Sequence, residues 1–329
     1  MRRRYLWIWL AQLAVALTLM VLLWRRLDGE AAWRDLTGAA PEWLAAALAA
    51  LTLQTLLSAM RWRFTAARLG QALPFGRVLR EYYLSQFANQ ILPGGILGDA
   101  GRAYRARDKG GLTVSGQAVI FERFAGQVML FVVMLAGLSL AAFSSDGLPL
   151  PGTTRALALP VFAFLATGAF LLWFAPGLPG RIGRVFCSVR AALARAFLGR
   201  RVFACQVALS LGATLCNLAA FAFCARATGT ALAPVQVLVL VPLILYAMVV
   251  PLSVSGWGLR EGAAAALFPL AGATAAAGLA ASTAFGLVFL ISTFPGLFVL
   301  LHSLRPARKR RSNALPVPSG LPNRNPPLS

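Results

Sequence analysis

Histidine, acidic side chains and paired cysteines are scarce in this chain, and each scarcity excludes a kind of chemistry. The 329 residues include one histidine, ten aspartates and glutamates, and four cysteines. No nucleophile–base arrangement surrounds His302, so covalent catalysis has no candidate pair. The cysteines lack C-x-x-C spacing, which favours buried thiols over zinc ligands or disulfides. The sequence therefore predicts no enzyme, metal site or cofactor.

Charged residues make up only 12% of the chain, whereas 59% of the residues are hydrophobic. A soluble core could not bury so much apolar surface. A transmembrane helix needs about 20 mainly apolar residues. Six runs of this kind are predicted to be full spans: 5–24, 42–60, 117–143, 158–175, 202–225 and 278–301. The chain is therefore predicted to be an all-α polytopic membrane protein.

A cleavable signal peptide is the alternative interpretation of residues 5–24. The apolar region of such a peptide is shorter, roughly 7–15 residues, and ends in a small-residue cleavage site. No such site is evident after this run. Residues 5–24 are therefore predicted to remain as the first span.

Two further apolar segments, 78–100 and 235–272, are interrupted by Pro and Gly near their middles. Either they are re-entrant helical hairpins, or Pro and Gly merely kink two ordinary spans and bring the total to eight helices. A re-entrant hairpin keeps the loops before and after the segment on the same side of the membrane, whereas a full span places them on opposite sides.

The net charge of +21 raises the question of nucleic-acid binding, and the positions of the basic residues argue against it. If the N-terminus is cytoplasmic and both broken segments are re-entrant, the cytoplasmic segments contain 24 of the 31 Lys and Arg residues. These segments are 1–4, 61–80, 101–116, 176–201 and 302–329. The positive-inside rule predicts this asymmetry. We therefore expect a multi-pass protein of the plasma or inner membrane with both termini in the cytoplasm.

Two basic regions flank the predicted spans. Residues 181–201 alternate arginines with apolar residues, which is typical of an amphipathic helix at the membrane interface. Such a helix either contacts anionic lipid or serves as an orientation signal. Residues 305–329 are basic and then rich in Pro, Ser and Asn, so we expect a disordered cytoplasmic tail after a transmembrane domain of residues 1–304.

The predicted topology contains an internal repeat. Residues 42–143 and 202–301 each run as span, hairpin and span, with opposite orientation. Inverted repeats with broken helices are common in secondary transporters. Irregular backbone at membrane depth must be buried in protein or line a wet cavity, so the hairpins predict a cavity.

The hairpin tips contain the candidate binding residues. Glycines and the start of the following helix suit a phosphate, and arginine adds donors matched to it. The candidates for binding a lipid head group are Gly94, Gly95, Arg102, Arg123, Gly256, Gly258 and Arg260. Carboxylates that pair with these arginines or couple to protons would be Asp99, Glu122 and Glu261. The cavity wall would include Asn89, Pro93, Pro251, Ser253, Ser255 and Trp257. The alternative is that the charged residues form structural ion pairs and that Trp257 packs between helices.

Three segments resemble signature regions of the lysylphosphatidylglycerol synthase transmembrane domain family, whose stand-alone members are called flippase-like domain proteins. The segments are 92–102, 122–126 and 251–261, and the resemblance covers about residues 5–301. It implies a lipid-handling membrane protein. The founding enzymes add a cytosolic aminoacyl-transferase domain, and the short stretch after residue 301 cannot form one.

The leading hypothesis is translocation between leaflets of an anionic lipid, either a phospholipid or a polyprenyl-linked precursor. The alternative is a non-transporting lipid-binding scaffold for a separately encoded glycosyltransferase or lipid-modifying enzyme. Membrane lipids are the expected partners, and nucleic acid is not. The lipid, the direction of movement, the energy source and the oligomeric state stay open.

Overall fold

The computed structural model describes residues 2–92, 95–107, 111–143, 163, 166–168, 170, 173–174, 177, 179–249 and 253–304. These residues form helices and turns, with no β-strand among them. Several predictions fall elsewhere in the chain: Pro93, Gly94, Pro251, most of the span 158–175 and the tail 305–329 lie outside the described residues.

The helices follow one another with short connections. They are α1 (Arg2–Arg26), α2 (Gly29–Thr37), α3 (Pro41–Arg68), α4 (Phe75–Ile91), α5 (Leu97–Arg105), α6 (Gly111–Phe143), α7 (Gly180–Phe197), α8 (Arg200–Ala227), α9 (Pro234–Tyr246), α10 (Leu259–Leu267), α11 (Ala275–Ser292) and α12 (Phe294–Leu304). Short 3₁₀ turns cover Ala247–Val249, Val254–Gly256 and Phe268–Ala271.

Five helical stretches in the described part of the chain are long and apolar enough to cross a membrane. They are Trp9–Arg26, Pro41–Arg68, Gly111–Ala141, Arg200–Ala227 and Ala275–Ser303. The all-α polytopic class is therefore confirmed, and these stretches coincide with five of the six predicted spans. The last one contains both α11 and α12, with a break at Thr293 shortly before Pro295, which lacks a backbone N–H.

The connections between the long helices, one of which contains α2, gather at two opposite ends of the helical bundle. At the upper end (residues 27–40, 228–233 and 272–274), the N–H of Ala40 donates to the carbonyl of Ala227 over 2.9 Å. At the lower end (69–74, 106–107 and 198–199), the Gln71 amide donates to the carbonyl of Ala106 over 3.3 Å. The lower end contains the loops that the sequence assigns to the basic, cytoplasmic side.

Hairpin one consists of α4 and α5, which run antiparallel and open at the lower end. Arg77 at its base donates to the carbonyl of Arg105 over 2.8 Å, and the Gly98 N–H near its tip donates to Asn89 Oδ1 over 2.7 Å. A Cβ at Gly98 would lie 2.1 Å from the Ser85 carbonyl oxygen, so only glycine permits this helix contact. With nine residues, α5 rises only about 13 Å, too little to cross a bilayer.

Hairpin two consists of α9 and α10, connects the two upper-end loops and therefore enters from the opposite end. Its tip contains Ser255 in the left-handed region, at φ 52°, followed by Gly256 at φ 78°. The Ser255 hydroxyl forms a hydrogen bond with Gln90 Oε1, so the tips of the two hairpins meet. Nearby, the Tyr246 hydroxyl donates to the carbonyl of Gln127 on α6 over 2.7 Å.

Helix contacts occur in matched pairs around the central α3–α8 contact. Packing of α3 on α6 corresponds to α8 on α11, and α5 on α6 corresponds to α10 on α11. The contact of α6 with α9 corresponds to that of α12 with α4. The buried core includes residues of both halves, among them Leu51 of α3, Met134 of α6 and Phe221 of α8.

The predicted amphipathic helix is present as α7. Its Ile182 and Val185 side chains are exposed, whereas Ala192 and Ala196 are buried against Phe121 of α6. An exposed face that mixes arginine with apolar side chains fits a helix lying along the bundle at the lower end.

Candidate functional site

A charged cluster, defined as Arg61, Asp99, Arg102, Glu122 and Arg123, lies inside the bundle. Its centre is Glu122 of α6, which is fully buried. One carboxylate oxygen accepts from Arg61 of α3 over 2.6 Å, and the other accepts from Arg102 of α5 over 3.1 Å. A single carboxylate on α6 therefore joins this helix to α3 and α5.

Asp99, in the first turn of α5, forms the other half of the cluster. It pairs with Arg102 at 2.9 Å and with Arg123 at 2.7 Å. The Ser85 hydroxyl and the Asn89 amide of α4 donate to the same carboxylate over 3.0 and 3.1 Å. Hairpin one thus holds Asp99 in a fixed position through these hydrogen bonds.

Arg102 is enclosed by aromatic rings. Its guanidinium carbon lies 4.5 Å from the ring centroids of both Trp62 and Tyr82, and the residue is fully buried. Cation–π contacts with these two rings stabilise the charge where water has no access. Arg102 therefore braces α5 against α3 and α4, and its guanidinium is closed to a ligand.

The charged cluster has one positive charge in excess, because three guanidiniums face two carboxylates. The neighbouring Glu81 is itself paired, at 2.5 Å from Arg105. An unbalanced charge within a membrane protein is costly, which makes this cluster a candidate binding or conduction site. The most accessible cation of the cluster is Arg123, whose side chain is 45% exposed.

A polar cavity of about 130 Å³ adjoins the cluster between α3, α6 and α8. This volume far exceeds the roughly 10–15 Å³ that one water requires. Its lining comprises Gln54, Ser58, Arg61, Tyr82, Glu122, Arg123, Gly126, Gln127, Leu130, Ala213, Thr214 and Asn217. These residues lie near the middle of each long helix, so the cavity is at mid-depth in the bundle.

A second group of charges lies in hairpin two. Arg260 forms an ion pair with Glu261, and its Nε donates to the Ser282 hydroxyl over 3.0 Å. Glu261 also accepts from the N–H of Gly258 over 2.7 Å, which caps the start of α10. The Trp257 ring lies 5.1 Å from the Arg260 guanidinium. Arg260 and Glu261 are both almost completely buried. This group is neutral and closed.

The two charged groups are separate. Arg61 contacts Ser210 of α8 at 3.2 Å. Arg260 contacts Phe285 of α11, and the ring of Phe285 packs on Phe221, which also belongs to α8. Ser210 and Phe221 are eleven residues apart, a rise of roughly 16 Å. The structure therefore brings together four of the six predicted charged residues, Asp99, Arg102, Glu122 and Arg123, and leaves Arg260 with Glu261.

The remaining predicted residues lie at the hairpin tips. Gly95, Gly256 and Gly258 have positive φ angles of 62°, 78° and 85°. Asn89 holds Asp99, and Ser255 contacts Gln90 rather than a charged group. The Ser253 hydroxyl is buried and has no hydrogen-bond partner among the described residues.

Comparison with known proteins decides the family. The profile of the family described as lysylphosphatidylglycerol synthase TM region matches residues 9–296. The chain belongs to this family. A UPF0104 membrane protein of Methanothermobacter thermautotrophicus is 24% identical over 311 residues, with 82% of this chain and 86% of the relative covered.

Several residues that form the site in this member of the lysylphosphatidylglycerol synthase TM family lie outside the three segments that carry the family resemblance. The predicted span ends at residue 60 and leaves Arg61 in the following basic segment, whereas α3 continues to Arg68 and buries Arg61. Its signal was present as a polar stripe with helical spacing: Gln54, Ser58 and Arg61. Trp62 and Tyr82, whose rings contact Arg102, carry no such pattern in the sequence.

Proposed function

We propose that this chain binds the phosphate of an anionic membrane lipid in the polar cavity and moves that lipid between leaflets. The observation that supports this most is the excess positive charge of the charged cluster beside a cavity at mid-depth. A phosphate supplies the missing negative charge, and guanidinium groups match its oxygen atoms.

The side chains have distinct roles in this proposal. Arg123 and Arg61 line the cavity and contact the phosphate. Asp99 and Glu122 hold these two guanidiniums in position, and Arg102 forms ion pairs with both carboxylates. The closed Arg260–Glu261 pair anchors hairpin two to α11 and does not contact the head group.

The matched helix contacts support an inverted repeat as the basis of movement. Hairpins entering from opposite ends meet through Gln90 and Ser255 and close the bundle between them. Rocking one half against the other would open the cavity first to one leaflet and then to the other, as inverted-repeat transporters do. The lower end would face the cytoplasm, as its basic loops require.

Cysteine labelling tests this topology. In a background without native cysteines, Ala72→Cys and Arg107→Cys flank hairpin one, and Ala231→Cys and Ala273→Cys flank hairpin two. An impermeant maleimide should label the second pair in right-side-out vesicles and the first pair only after permeabilisation. A difference in labelling within either pair would make that segment a full span and remove the hairpin from the proposal.

Lipid movement is tested with purified protein in large unilamellar vesicles that contain a head-group-labelled phosphatidylglycerol. Dithionite destroys only outer-leaflet fluorophores, so the wild-type protein should raise the quenched fraction from about half toward completion. Vesicles containing an unrelated polytopic protein are the control for leakage. Binding of the lipid without movement would favour the alternative scaffold role, with a separately encoded enzyme as partner.

A further inference from the structure

The amphipathic helix α7 has an apolar stripe that is longer than the protein surface it covers. The stripe recurs at three- and four-residue intervals and comprises Ile182, Val185, Val189, Leu193 and Phe197. Near the end of the helix, Phe197 packs on Phe121 of α6, with 6.4 Å between the ring centroids. Near the start of the helix, Ile182 and Val185 are each 59% exposed. The described part of the chain therefore leaves the first half of the stripe open.

Helix α7 lies at the level where two neighbouring spans end. The span Arg200–Ala227 begins three residues after α7, and Gly199, at φ 114°, forms the turn between them. The Arg68 side chain, at the end of the span Pro41–Arg68, donates to the carbonyl of Arg195 over 3.2 Å. Amphipathic helices at this level lie at the boundary between head groups and acyl chains. The open half of the apolar stripe is therefore next to lipid.

The arginines beside this stripe have no acidic partner in the described part of the chain. Arg184 and Arg195 follow Arg181 by three and fourteen residues, close to whole numbers of turns, so the three share one face of α7. All three are exposed, and none forms an ion pair among the described residues. No aspartate or glutamate occurs in the sequence between Asp146 and Glu261. Anionic head groups of the adjacent lipid supply the charge that complements this face.

We propose that the first half of α7 docks on the membrane surface at the lower end of the bundle and binds anionic lipid head groups there. Ile182 and Val185 enter the boundary of the acyl chains, while Arg181 and Arg184 contact the head-group phosphates. This site is separate from the polar cavity, whose lining contains no residue of α7. It does not require that the protein moves lipid. A helix that serves only as an orientation signal needs no preference for anionic lipid.

The test is electron paramagnetic resonance of the full-length protein in lipid nanodiscs, in which both membrane faces are accessible. In a background without native cysteines, a spin label is placed at Ile182→Cys or, as the matched control, at Ala191→Cys. The two sites are nine residues apart and therefore on opposite faces of α7. Oxygen reports the acyl region, and an uncharged nickel chelate reports water.

In discs that contain phosphatidylglycerol, the label at residue 182 should collide with oxygen and be shielded from the chelate. The label at residue 191 should collide with the chelate. In discs of phosphatidylcholine alone, the shielding at residue 182 should decrease. A label at residue 182 that is as accessible to the chelate as the control in both lipids would overturn the docking. Equal shielding in the two lipids would overturn the recognition of anionic head groups.

Two paired variants assign the recognition to the arginines. Arg181→Gln with Arg184→Gln should lower the ratio of docked to undocked label in phosphatidylglycerol discs by about 25-fold, at about fivefold for each arginine near an anionic surface. Arg25→Gln with Arg26→Gln removes the same charge from exposed positions at the end of α1 and should leave the ratio unchanged. Thermal unfolding should be unchanged in both, since all four side chains are exposed. Full docking of the α7 variant would show that these arginines do not bind head groups.

Discussion

Replacing Arg123 with Gln is expected to reduce lipid movement in reconstituted vesicles by about tenfold to a hundredfold, the worth of charge-assisted hydrogen bonds to a phosphate. The substitution removes the excess positive charge of the cluster and its most accessible donor. Asp99 keeps Arg102, Ser85 and Asn89 as partners, so its carboxylate stays compensated. The fold should therefore survive, and the loss should appear in movement rather than in protein yield.

Two further variants make this result specific. Arg123→Lys keeps the charge but not the planar fork of donors, so we expect partial activity. Arg80→Gln removes the same charge from an exposed position at the lower end and should leave movement unchanged. Wild-type rates in Arg123→Gln, with unchanged thermal unfolding, would exclude Arg123 from the transport site.

Replacing Glu122 with Gln is expected to destabilise the protein by about 3–5 kcal/mol, the typical cost of breaking a buried ion pair by removing one partner. Glu122 is the only cluster residue that contacts Arg61, and it also supports Arg102 and accepts from the Tyr82 hydroxyl over 3.2 Å. Without this carboxylate, Asp99 is the one negative charge left in the cluster, against three buried or half-buried guanidiniums. The free energy of unfolding in detergent or bicelles measures the effect.

The control for Glu122 is Glu42→Gln at the exposed start of α3. There the carboxylate has no ion-pair partner among the described residues and lies in the first turn of the helix, where its interaction with the amino end is worth about 0.3–1 kcal/mol. If Glu122→Gln cost no more than this control, Glu122 would not be the structural centre of the cluster. A double variant, Arg61→Gln with Glu122→Gln, should recover part of the lost stability because it also removes the orphaned charge.

Much of the fold could be predicted because hydropathy is a local property. The five spans, the two broken segments and the basic helix α7 follow from the apolar runs, the positions of Pro and Gly, and the arginine spacing. Span ends were less certain. A polar residue near a predicted boundary, such as Arg61, is assigned to the loop unless its partner is known, and its partner Glu122 is 61 residues away.

The site was predictable only in part for the same reason. Asp99 with Arg102, and Glu122 with Arg123, are neighbours in sequence, so their involvement could be read directly. The sequence prediction placed Arg260 with these residues, because sequence spacing gives no information about the depth of a residue in the bundle. The aromatic rings around Arg102 are equally invisible until α3 and α4 are packed together.

The sequence by itself determined that this chain is a helical membrane protein with two interrupted segments, because only apolar helices of sufficient length satisfy their backbone within lipid. It also determined which charges lie within those segments. Only the tertiary structure decided that hairpin one contributes to a cluster with an excess positive charge at an accessible cavity, whereas hairpin two closes on a neutral pair. Charge balance depends on which helices meet, and that is settled by packing between residues far apart in the chain.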